Sequence, residues 1–289
     1  MSAVYKRELK SYFFSPMGYV VIAFLIAIVG LYFTVYNLQN QYPWFGVGLQ
    51  NTAFVLMIIV PLITMRIMAE ERRQKTDQLL YTAPVKITDI VLGKYFAVVT
   101  VFAIPLIIFM IYPLILLGFG KPVESLPMDY VAIFGYFLLG AASLAVGFYI
   151  STITENQVLA AVLSFALLLL SYYSRDLSRI IPTDSLSSLI GISVLICILA
   201  VLIYIMTKNI ILTICTALVL EGALLAVFLI KETLIQGMIN RIIAVLNMSQ
   251  RLANFVYGEL QIPIVAYYLS VIFLFLFLSI QAIYKRRWS

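Results

Sequence analysis

The sequence predicts an all-α, polytopic membrane protein of about eight transmembrane helices, preceded by an N-terminal interfacial helix. Of the 289 residues, 63% are hydrophobic and only 11% charged, with a mean hydropathy of +1.06. A soluble domain cannot bury that much apolar surface. The apolar residues fall in runs of about twenty, the length a helix needs to cross a bilayer core. Between the runs lie short polar stretches in which Lys and Arg cluster. That clustering is an orientation signal, so the net charge of +6 does not point to nucleic acid.

Residues 2–15 form the first element. Tyr5, Leu9, Tyr12 and Phe13 recur at helical spacing, with Lys6, Arg7 and Lys10 opposite. A short basic amphipathic helix of this kind lies in the membrane interface. Ser15-Pro16-Met17-Gly18 breaks it, and a span follows over 17–37. No small-residue cleavage site follows that run, so it is expected to be retained rather than removed as a signal peptide. Residues 37–51, with Pro43, Trp44 and two glycines, are expected to form a polar loop before a second span over 52–69.

The longest strongly polar run, Met68 to Tyr95, comes next. Arg72, Arg73, Lys75, Lys86 and Lys94 are interspersed there with Glu70, Glu71, Asp77 and Asp89. Pro84 cannot sit inside a helix without removing a hydrogen bond, so two short helices around a break near Ala83 are expected. Thr88 is the expected N-cap of the second, with Asp89 at its positive dipole end. Leu79, Leu80 and Tyr81 are apolar side chains inside this loop, which suits a surface gripped by another protein. The simpler alternative is a solvated loop whose cations only fix orientation.

Span three runs to about 118, with Pro105 and Pro113 as expected kinks. Gly118-Phe119-Gly120-Lys121-Pro122 lacks the glycine spacing and the Ser/Thr of a phosphate loop and reads as a turn. Span four, 129–151, carries Gly140, Ser143 and Gly147 on one face, a pattern for close helix packing. Thr152 and Glu155 have capping-box spacing, so the turn before span five is expected to start with Thr152 as cap. Span five ends near Tyr173, and 174–187 is expected as an outside loop. Residues 188–230 are apolar except at Thr207-Lys208-Asn209, which gives a helical hairpin of two spans. In 232–262, Ile235, Met238, Ile239, Ile242 and Leu246 share one face of an amphipathic segment expected on the outer membrane surface. The last span, 264–284, ends at Lys285-Arg286-Arg287-Trp288.

Several of these stretches share a family likeness. The run Glu70-Glu71-Arg72-Arg73, then Thr76, Leu79-Leu80, Thr82, Pro84-Val85, Ile90-Val91 and Gly93-Lys94, resembles the signature of ABC-2 type transporter permeases. The stretch RELKSYFFSPMGYVVIAFL, from Arg7, resembles the start of their gliding-motility type, as does the segment from about 246 through the terminal Arg-Arg-Trp. The resemblance covers about 1–173 and 246–288. It implies a six-span core, with 188–230 as an inserted hairpin. It also implies that loop 70–93 carries a coupling helix docking into a cleft of a separate ABC ATPase subunit. The implied contacts are Glu70, Glu71, Arg72, Arg73, Thr76, Leu79, Leu80, Thr82, Pro84, Gly93 and Lys94, with Leu79 and Leu80 as apolar anchors and Glu71 and Arg73 fixing orientation. Thr152, Glu155, Asn156 and Gln157 match the family's second cytoplasmic loop, a second contact. A second permease copy or homologue and membrane lipid complete the partners. ATP and Mg would be bound by the ATPase and no cofactor by this chain.

Charge counting gives an orientation. With loop 70–93 inside, thirteen Lys and Arg fall in the cytoplasm against six outside, which favours both termini cytoplasmic in the cell membrane. The chain has no histidine, and Cys197 and Cys215 both lie in apolar runs, so neither a disulfide framework nor a His/Cys metal site is expected. No nucleotide-binding motif is present, so the chain is not expected to be an enzyme. The alternative is a secondary transporter driven by an ion gradient, which needs several ionisable groups at mid-membrane. Only Glu221 fits that description, and it is a candidate intramembrane polar site.

Overall fold

The apolar runs form helices, and proline, glycine or a polar side chain marks most of the places where they end. The computed structural model describes every residue except 77–84, 121, 123, 124, 208 and 289. Among the described residues there is no strand. Seven helical segments there are long and apolar enough to cross a membrane: Pro16–Gln39, Phe45–Arg73, Ile87–Gly118, Leu126–Ile153, Gln157–Ile180, Ile210–Ile230 and Ile262–Arg286. A further apolar helix is Ser185–Thr207. The chain divides into two compact units, residues 1–170 with 248–289, and residues 171–247.

In the first unit, α1 (Ser2–Phe14) ends at Ser15, whose hydroxyl accepts the Met17 N–H at 3.3 Å and starts α2 (Pro16–Tyr32). A Cβ on Gly18 would stand 2.6 Å from the Tyr12 carbonyl oxygen, so this corner requires glycine. α2 continues as a π-helical stretch, Phe33–Gln39. The expected loop over 37–51 is instead partly helical, as α3 (Phe45–Asn51). Its glycines serve packing rather than turning. Gly46 lies against Ala132, and its N–H donates to the buried Asp129 carboxylate at 3.1 Å. A short 3₁₀ turn leads into α4 (Leu56–Thr64), and α5 (Ala69–Arg73) follows.

The helix after the polar run, α6 (Ile87–Phe109), begins one residue before Thr88. Lys86, in extended backbone, is its N-cap, so Thr88 lies in the first turn with Asp89. Pro105 sits inside α6, and the interruption comes at Met110 and Ile111, ahead of Pro113 and α7 (Tyr112–Gly118). α8 (Leu126–Ile153) is the axis of this unit, with α3, α4, α6, α13 (Leu252–Val256) and α14 (Ile262–Trp288) packed on it. Its small residues make the room: Gly135 faces Phe255, Gly140 faces Phe102 and Gly147 faces Thr64.

The second unit begins within α9 (Gln157–Ile180). α9 runs past Tyr173 to Ile180, so most of the expected loop 174–187 is helix. Asn240 explains the extension: its amide donates to the Ser178 and Ile181 carbonyls at 2.5 and 2.8 Å, satisfying acceptors at the end of α9. The Asp184 carboxylate accepts the Ser187 N–H at 3.1 Å and starts α10 (Ser185–Thr207). Asn209 caps α11 (Ile210–Ile230), which pairs with α10 as the expected hairpin. α12 (Met238–Val245) packs on α10 through Ile239, which fills the space over Gly191. Of the expected apolar face, Ile235 and Ile239 are buried, whereas Met238 and Leu246 are exposed.

Candidate coupling site

α5 is a helix of only five residues, Ala69–Arg73, and neighbouring helices position it. Arg66 and Glu70 form a two-pronged ion pair one turn apart, Nε to Oε2 at 2.8 Å and Nη2 to Oε1 at 3.1 Å. The Ser151 hydroxyl, at the end of α8, accepts the N–H groups of Met68 and Ala69, each at 3.2 Å. Ala69 packs in a small apolar cluster with Ile150 and Ala160, so α5 rests on the junction between α8 and α9.

The charged residues of α5 divide into two sets. Arg73, Gln74, Lys75 and Thr76 face outward. Glu71 turns inward to a closed ring of charges drawn from three elements. Its carboxylate meets Arg7 at 2.8 Å and Lys94 at 2.8 Å, while Glu8 meets the same Arg7 at 2.7 Å and the same Lys94 at 3.2 Å. Lys94 is 0% exposed and also donates to the Ile67 carbonyl at 2.9 Å. The ammonium therefore has one hydrogen-bonded carbonyl and two carboxylates around it as ion-pair partners. Removing one partner of such a buried pair costs roughly 3–5 kcal/mol, because the other charge is left without compensation. Burial opposes the charge on Arg7, but Glu8 and Glu71 outweigh it and hold the guanidinium pKa above its ordinary value. Burial raises the Tyr12 phenol, which donates to the Ile63 carbonyl at 2.9 Å. Between α1 and α5 lies a polar cleft of about 360 Å³, lined among others by Arg7, Ser11, Arg66, Glu70 and Gln74.

The sequence-derived contacts are thus placed unevenly. Arg73 and Thr76 are exposed, and the Thr76 hydroxyl donates to the Glu71 carbonyl at 3.3 Å. Glu70 is half-buried and Arg72 buried. Gly93 and Lys94 face α1: a Cβ on Gly93 would meet Met1 and Val4 at 3.1 Å. Leu79, Leu80, Thr82 and Pro84 lie outside the described residues. In the second loop Thr152 is not a cap, since it is buried in α8 and its hydroxyl bonds the Phe148 carbonyl at 2.9 Å. Asn156 does the capping, accepting the Val158 N–H at 2.9 Å, and Gln157 is the first residue of α9. Glu155 pairs with Arg286 near the end of α14. α1, α5, the second loop and the end of α14 therefore gather at one end of the first unit. Glu8 and Ser151 were not singled out in the sequence. The signal for Glu8 was a lone acid among Lys6, Arg7 and Lys10; Ser151 offered none.

In the second unit, Glu221 accepts the Ser193 hydroxyl of α10 at 2.7 Å. Among the described residues no group of three or more His, Cys, Asp or Glu is arranged to hold a metal.

Comparison with known families decides what this end of the molecule belongs to. Residues 9–216 match the family model described as ABC-2 family transporter protein, and this stretch includes the second half of α1 from Leu9, the whole of α5 and the second loop. The chain belongs to the ABC-2 transporter family. A search of curated proteins returns no match. As an ABC-2 membrane component, it is a multi-pass permease subunit for transport rather than catalysis, and the family implies pairing with an ABC ATPase subunit. The match also runs through α10 into α11, beyond the part covered by the sequence resemblance.

Proposed function

We propose that this chain is the permease of an exporter of the gliding-motility type within the ABC-2 family. A separate ATPase, which binds the ATP and Mg, drives it. Two permeases, as copies or homologues, enclose the substrate path, and closure of the ATPases pushes on α5 and the residues after it. The observation that carries this reading is the outward set Arg73, Gln74, Lys75 and Thr76, presented beside the second loop by a segment held firmly on its inner side. Rim charges of this kind orient a partner, while apolar anchors, assigned here to Leu79 and Leu80, supply most of the affinity.

Both termini lie on the cytoplasmic side of the cell membrane. The gathering of α1 and the end of α14 at one end supports a common side, because only an even number of crossings returns the chain to its starting side. The excess of Lys and Arg supports the cytoplasmic one. Seven long apolar segments plus Ser185–Thr207 give eight. Residues 232–262, with amphipathic α12, would then lie outside and cover the exit of the path. The test is Leu80→Asp against Lys86→Ala. The first should uncouple or dissociate the ATPase and the second should have little effect; equal behaviour would remove the anchor assignment.

A further inference from the structure

We propose that Lys94 is a positioning residue that fastens interfacial helix α1 to the coupling segment, so that a push on α5 moves α1 and the start of α6 with it. The family resemblance implies Lys94 as a partner contact, yet its side chain is 0% exposed and the three oxygens around its ammonium come from three places. Ile67 lies just before α5, Glu71 within it, and Glu8 on α1. Arg7 closes the ring by bridging the same two carboxylates. Two cations and two carboxylates make the ring neutral; Arg7 lies half exposed at its rim, and Lys94, fully buried, is the member whose charge most needs the two carboxylates.

Other contacts show that α1 is seated on α6 and not only adjacent to it. Gly93, next to Lys94, leaves room for the backbone of Met1 and the side chain of Val4. The Tyr5 and Thr100 hydroxyls share a hydrogen bond of 3.1 Å, and Tyr12 bonds the Ile63 carbonyl before α5. These neutral contacts align α1, and the ring joins α1, α5 and α6 at a single atom, the Lys94 Nζ. Energy delivered at α5 therefore reaches two further elements through the buried Lys94.

Two arms test this, and only the second rests on the ATPase reading. In the first, the full chain, with Cys197 and Cys215 replaced, carries spin labels at Lys10 on α1 and Lys75 after α5, in phosphatidylethanolamine/phosphatidylglycerol nanodiscs. A control pair sits at Ile153 and Tyr284. The native ring should give one narrow Lys10–Lys75 distance. Lys94→Met should lose it while the control pair is unchanged, and Glu8→Gln, which preserves side-chain shape, should lose it in part. The double variant should be no worse than Lys94→Met alone, since both act through one ring. A narrow distance in Lys94→Met, or additive loss in the double variant, overturns the proposal. In the second arm, the complex with the ATPase is trapped with ATP and vanadate. Labels at Lys10 and at Lys75, each measured against α8, should both move in the native chain, and only Lys75 in Lys94→Met. Movement of both in Lys94→Met overturns the proposal. Movement of neither in the native chain overturns the ATPase reading, and the first arm still decides the ring.

Discussion

The Ser151 hydroxyl accepts the Ala69 N–H at 3.2 Å, so the end of α8 caps the start of α5. Helix starts leave N–H groups without partners, and here a side chain from another helix supplies one acceptor for two of them, Met68 and Ala69. Ser151→Ala leaves both donors buried without it, at a cost of about 1–3 kcal/mol. Hydrogen exchange of the full chain in detergent should rise over 68–76, with a lower unfolding temperature. Unchanged exchange there would show that α5 holds itself.

Gly140 and Gly222 should respond oppositely to the same substitution. A Cβ at Gly140 would lie 2.2 Å from the Phe102 ring, in the packed centre of the first unit. Gly140→Ala should therefore destabilise by about 1–3 kcal/mol through overpacking. At Gly222, inside α11, an added Cβ would meet nothing within 4 Å. Gly222→Ala should stabilise that helix by about 0.5–1 kcal/mol. Thermal unfolding of the two variants side by side checks the contrast, and equal shifts would contradict it.

Most of the helical plan was legible because runs of apolar residues long enough to cross a bilayer have few other outcomes. What escaped reading depended on partners distant in sequence. Phe45–Asn51 looked like a loop because glycine suits turns, yet Gly46 is there to let Ala132 approach. The end of α9 looked like a loop because its serines and charges are polar, but Asn240, far along the chain, satisfies its carbonyls. At the site, the polar run from Glu70 stood out by charge alone. Its division into an inward Glu71 and an outward Arg73 required α1 in place, as did the burial of Lys94.

Glu221 discriminates between a structural and a transport role for the hairpin. The Ser193 hydroxyl donates to it at 2.7 Å, a bond that a glutamine carbonyl also accepts. Glu221→Gln should keep the fold, and Glu221→Leu should lose about 0.6–1.7 kcal/mol, the range for such bonds in membranes. Unfolding in detergent measures both. Normal stability with lost transport in Glu221→Gln would assign the charge to transport, and unaltered transport would leave the hydrogen bond as its whole role.

Crossing number is open to direct labelling. Single cysteines at Thr183, before α10, and at Asn209, before α11, flank one span in a version lacking Cys197 and Cys215. An impermeant thiol reagent on intact cells should label the first and not the second. Labelling of 209 from outside would contradict eight crossings with cytoplasmic termini.

Coupling through α5 is tested most directly by where the ATPase touches the chain. A photo-crosslinking residue at Lys75, exposed after α5, is compared with one at Phe119, exposed beyond the far end of α6 and α7. A protein with a nucleotide-binding phosphate loop should be captured from Lys75 alone, with capture reduced by Leu80→Asp. Capture from Phe119, or none from Lys75 in a complex that still hydrolyses ATP, would contradict it.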